Sequence, residues 1–154
     1  MKINSPWPYF SKEEIDAVSA VLVSGKVNYW TGEEGKLFEQ EFASFCDTKY
    51  AIALTNGTAA LELALEALGI GPGDEVIGTP RTFMASSSCV VTRGATPIFA
   101  DVNIHSGNIT AETIEAVITP KTKAIIPVHL AGMPCEMDAI MDLAKKYNLY
   151  VIED

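Results

Sequence analysis

Apolar positions recur along this chain at two periods, and the change from one to the other divides it. Near the amino terminus Ile15, Val18 and Leu22 follow the spacing of one helical face. Ser11 with Glu14 three residues on is a capping-box pattern that starts this helix, and Gly25 ends it. Phe38, Phe42 and Phe45 repeat the helical spacing between about Lys36 and Cys46, after a glycine-containing turn at 31–35, and are expected to pack into a core. From Tyr50 onward, short apolar runs alternate with helical segments. Strands are predicted at Tyr50–Leu54, Glu75–Gly78, Pro97–Asp101, Ala124–Val128 and Leu149–Ile152. The helices between them are predicted at Thr58–Leu68, stopped by Gly69–Gly73, then at Phe83–Thr92, Ala111–Ile118 and Glu136–Tyr147. In the last of these, Lys145 and Lys146 complement the C-terminal dipole.

Strands that are continuously apolar, alternating with helices, imply a mostly parallel sheet covered by helices on both faces, and so an α/β fold. The organisation read from this pattern is a helical segment over residues 1–48 and an α/β domain over 49–154. Its last strand looks central, yet Glu153 and Asp154 follow at once. Domains usually end on surface segments, so the domain is expected to be truncated there.

Composition narrows the partners. At 154 residues and 48% apolar, the chain can bury one sizeable core, and a formal charge of -9 argues against a basic surface for nucleic acid or anionic lipid. The opening Met1-Lys2-Ile3-Asn4-Ser5-Pro6 lacks the apolar stretch of a signal peptide, and no run approaches a membrane span. A cytoplasmic protein is expected. Cys46, Cys89 and Cys135 form no C-x-x-C spacing and are read as buried thiols. Two distant histidines without an H-E-x-x-H pattern give no metal site.

The strand-turn-helix junction Leu54-Thr55-Asn56-Gly57-Thr58-Ala59-Ala60 is the most informative stretch. Gly57 permits close approach to the backbone, and the free N–H groups where Thr58 opens a helix favour an anion such as phosphate. Such a turn is more often just a capped helix start. Neither G-x-G-x-x-G nor a P-loop is present, which weakens NAD and ATP readings. In open parallel sheets ligands sit beyond the C-terminal strand ends, where Thr82, Phe83, His129 and Asp154 all fall. Asp154 at the rim of a core needs a cationic or hydrogen-bonding partner, unless it merely caps a helix. His129 is read as a hydrogen-bonded structural residue, and His105 as an exposed loop residue.

These segments together resemble the DegT/DnrJ/EryC1/StrS sugar aminotransferases. The likeness rests on Asn56-Gly57-Thr58-Ala59-Ala60-Leu61, on Gly69 to Ile77, on Thr82-Phe83, on Lys121 to His129 and on Val151-Ile152-Glu153-Asp154, in family order. It implies part of the large domain of the fold type I aminotransferase architecture, binding pyridoxal 5'-phosphate (PLP). In that likeness Gly57, Thr58 and Ala59 hold the cofactor phosphate, Phe83 stacks on the pyridine, and Asp154 pairs with the ring nitrogen. The resemblance also implies an amino acid donor, glutamate by analogy, and a nucleotide-linked keto sugar acceptor. The product would serve cell-surface polysaccharide or deoxyamino-sugar synthesis, and the full-length enzyme would be a homodimer. Family members place their Schiff-base lysine beyond the Glu-Asp pair. None of the nine lysines here matches it, so this chain alone is expected to lack a catalytic residue and to be inactive. A dehydratase of the same family and a noncatalytic fragment are the alternatives.

Overall fold

The computed structural model describes residues 8–154; the reading of Met1 to Pro6 as lacking a signal peptide lies outside them. The chain forms two compact units, Met1–Ala53 and Leu54–Asp154.

In the first unit, helix α1 spans Lys12–Ser24. Ser11 accepts the Glu14 N–H while the Glu14 carboxylate accepts the Ser11 N–H, and Gly25 closes the helix at φ 68°. Helix α2 spans Glu34–Phe45. Two expectations fail in this unit. Phe38, Phe42 and Phe45 are not core: Phe38 and Phe42 pack on each other with ring centroids 5.5 Å apart, but all three are exposed, Phe45 at 87%. Ile15, Val18 and Leu22 are exposed too, so each helix has its apolar stripe but, among the described residues, no element of the unit covers it. Cys46 is likewise exposed and not a buried thiol. The segment Tyr50–Leu54 forms no strand either. It finds no ladder partner, and the Ala53 N–H donates to the Glu39 carboxylate at 2.8 Å instead.

The second unit is an α/β layer structure. Helix α3 (Gly57–Ala67) leads through a tight turn into strand β1 (Glu75–Gly78). There follow α4 (Ala85–Thr92), β2 (Thr96–Phe99), α5 (Ala111–Glu115), β3 (Thr122–Ile125), a 3-10 turn at Leu130–Gly132, α6 (Met137–Tyr147) and β4 (Tyr150–Val151). The four strands pair in the order β2-β1-β3-β4, and every pairing is parallel.

Side chains alternate through this sheet as the pleat requires. Val76, Ala124 and Ile126 join Leu61 and Leu65 of α3 and Val90 of α4 on one face. Ile77 and Ile125 join Ile114 of α5 and Ile140 of α6 on the other. The isoleucines 77, 114, 125 and 140 are all fully buried, and each such side chain stabilises the fold by about 1.5–3 kcal/mol. Helices on both faces of a parallel sheet match the expected fold class. Among the described residues no helix is long and apolar enough to cross a membrane.

Candidate active site

The topology gathers the chemistry at one sheet edge. Helix α3 runs into the start of β1 and so antiparallel to it, which places its N-terminus where β1 finishes. Helix α4 begins just after that finish, and α3 and α4 pack against each other. From β1 the chain crosses outward to β2, while from β3 it crosses to β4 on the other side, so the strand order reverses between β1 and β3. A crevice at such a reversal, beyond the C-terminal strand ends, is where open α/β sheets bind ligands.

At the α3 N-terminus Asn56 is the cap, with extended backbone and its side chain accepting the Ala59 N–H at 2.9 Å. That bond occupies the Ala59 amide and leaves those of Gly57 and Thr58 in the first turn without an intrahelical acceptor. A Cβ added at Gly57 would meet nothing within 4 Å. Packing therefore does not demand glycine there, and the space ahead of the helix is open to an anion. This cradle fits a phosphate monoester.

Across the crevice, Phe83 lies between β1 and α4 and is 74% exposed. Asp154 continues the β4 ladder: its N–H donates to the Pro127 carbonyl at 3.0 Å and its own carbonyl accepts the His129 N–H at 2.9 Å. Its carboxylate reaches α4, where Oδ2 accepts the Ser86 hydroxyl at 2.5 Å. Ser86 is 4% exposed and Asp154 is exposed, so the pair joins a buried donor to a carboxylate at the rim. An exposed aromatic side chain three residues before the serine that holds an oriented carboxylate suits a flat, protonated heteroaromatic ring.

His129 engages both ring nitrogens. Nδ1 accepts the Cys135 N–H at 3.1 Å, which assigns the proton to Nε2, and Nε2 contacts the Glu153 carboxylate at 2.9 Å. It is the structural residue the sequence suggested, tying the turn after β3 to the end of β4. His105 is exposed in its loop. Desolvation pushes the buried Cys89 and Cys135 thiols above their ordinary range. Among the described residues no group of three His, Cys, Asp or Glu side chains could hold a metal. Ser86 escaped the sequence reading. It lies three residues after Phe83 in a run of three serines, and only the fold shows which of them faces Asp154.

A parallel α/β sheet with a free helix N-terminus, an exposed ring and a held carboxylate at its switch point is the architecture of PLP-dependent aminotransferases. The model of the DegT/DnrJ/EryC1/StrS aminotransferase family matches residues 8–154, and the chain belongs to that family. It is 51% identical over 128 residues to GDP-perosamine synthase of Caulobacter vibrioides, covering 81% of this chain and 34% of that protein. The crystal structure of an aminotransferase from Psychrobacter cryohalolentis superposes with a TM-score of 0.95 at 65% identity, over 97% of this chain and 38% of that one. NtdA of Bacillus subtilis, solved with bound cofactor PMP, superposes with a TM-score of 0.86 at 36% identity, over 94% of this chain and 34% of that one. The chain thus spans little more than a third of the length of these relatives.

Proposed function

We propose that Leu54–Asp154 forms the cofactor-binding core of a PLP-dependent aminotransferase acting on a nucleotide-linked keto sugar, with glutamate as amino donor and a homodimeric full-length form. The observation that carries this reading is the meeting, at one sheet edge, of the α3 cradle, the exposed Phe83 ring and the Ser86-held Asp154 carboxylate. Gly57 and Thr58 would bind the cofactor phosphate through their free amides, with Ala59 behind them locked to the Asn56 cap. Phe83 would stack on one face of the ring, and Asp154 would hold a proton on its nitrogen. PLP, when bound, supplies an electron sink for the α-carbon of the amino acid as its proton leaves. The lysine that moves that proton in this family has no counterpart among the nine lysines of the chain, so the reading assigns it to another part of the protein.

The test is made on the full-length protein. With wild type, PLP uptake is expected to give a visible absorbance band that borohydride bleaches with one cofactor fixed per chain, and glutamate should aminate a nucleotide-linked keto sugar. Asp154→Ala should still take up PLP while losing about 100-fold or more in kcat, the loss typical when a preorganised electrostatic partner is removed. Undiminished turnover in that variant would overturn the assignment of Asp154.

A further inference from the structure

We infer that Ser86 is a positioning residue that fixes the rotamer of Asp154, occupying Oδ2 so that Oδ1 is presented to the cofactor's ring nitrogen. The inference rests on the reading of Asp154 as that nitrogen's partner. Its basis is a carboxylate at an exposed rim held from two elements. The segment just after β3 fixes the Asp154 backbone through Pro127 and His129, and α4 fixes the side chain through Ser86. Backbone bonds alone leave χ1 and χ2 of a rim aspartate free to rotate.

The donor directions in this cluster are set by chemistry. An ionised carboxylate only accepts, so the Ser86 proton goes to Asp154 at 2.5 Å, the short distance of a charge-assisted bond. The Ser86 oxygen is then free to accept, and the Thr82 hydroxyl at 2.9 Å becomes its donor. Thr82, Ser86 and Asp154 form a directed chain of hydroxyls ending on the carboxylate. Ser86 occupies the first turn of α4, whose N-terminal partial charge favours the anion in the same place. Because Ser86 is almost fully buried, its own rotamer is locked, and it transmits the position of α4 to Asp154. Neither hydroxyl touches the substrate; their action passes through Asp154.

The experiment compares full-length wild type with Ser86→Ala, Ser86→Thr and Thr82→Val. In Ser86→Ala, PLP should dissociate about 10-fold more readily, the scale of one hydrogen bond to a charged group. The resonance of a 15N-labelled ring nitrogen should move toward that of neutral pyridine. The kcat should fall while KM for the nucleotide sugar holds, a split that a general loss of packing would not produce. Ser86→Thr, which keeps the hydroxyl, should restore all three, and Thr82→Val should shift them in the same direction by less. If Ser86→Ala does not fold, a Thr82→Val protein with wild-type affinity, resonance and kcat overturns the inference. If Ser86→Ala folds and matches wild type in affinity and resonance, the inference falls and the proposed function stands. If wild type takes up no PLP, the proposed function falls and the cofactor role of Ser86 falls with it. In that event the side-chain carboxyl 13C resonance of Asp154 in cofactor-free Ser86→Ala shows whether the bond itself exists.

Discussion

The two units of the chain use similar hydrophobic periodicity to opposite effect. In Leu54–Asp154 the apolar positions of strands and helices close on one another across both faces of a sheet, and eight isoleucine and leucine side chains there are fully buried. In Met1–Ala53 the helices carry apolar stripes of comparable length, yet the one buried apolar residue among those described is Ala43. The difference teaches that periodicity specifies a face and not its cover. A sheet that supplies two faces internally can bury helices from either side, whereas an apolar stripe on a helix is buried only when a second element reaches it.

That contrast can be broken at its strongest point by substitution. Ile125→Ala, in a central strand and 0% exposed, should destabilise the chain by about 2–5 kcal/mol in urea unfolding, whereas Phe45→Ala should stay within about 0.5 kcal/mol. Equal effects would mean that Phe45 is covered in solution. Thiol chemistry sharpens the comparison more gently. Near neutral pH iodoacetamide should modify the exposed Cys46 of the first unit readily. Cys89 and Cys135, buried and with thiols pushed up by desolvation, should react only after unfolding or at alkaline pH. Mass spectrometry of the native chain should therefore find one modified cysteine; three would contradict the closed core.

The smallest expected effect concerns pH. Lys146, and after it Tyr147, hydrogen-bond Glu115 between α5 and α6 and hold its carboxyl below the ordinary range. A carboxylate with a depressed folded pKa contributes stability above its unfolded value, about pH 4.3, and loses it as pH falls through the lower folded value. Glu115→Gln should remove that acid-side decline and leave the chain barely changed near neutrality, because the pair is exposed to solvent. Thermal unfolding of both proteins across the acid range checks the sign.

Local signals were legible wherever the physics was local. The Ser11 and Glu14 cap and the Gly25 stop each depend on a few neighbouring residues and are present as read, while the helix expected from Thr58 starts at Gly57 behind an Asn56 cap. The parallel α/β order was legible because strands buried on both faces must be continuously apolar. Tyr50–Leu54 misled because an apolar extended run needs a partner strand to become a ladder, and pairing is not written in the run itself. Ser86 was illegible for a related reason: its partner is 68 residues away, and Ser86, Ser87 and Ser88 look alike until α4 is placed against β4.

That separation also sets an order in time. Every strand pair in the sheet is parallel and joined through at least one helix, so loop closure precedes each gain in sheet pairing. Asp154 arrives just after β4, whereas Ser86 and the α3 N-terminus come from the first half of the same unit. On the proposed assignment, the residues that would hold a phosphate are therefore made before the carboxylate that would face the ring.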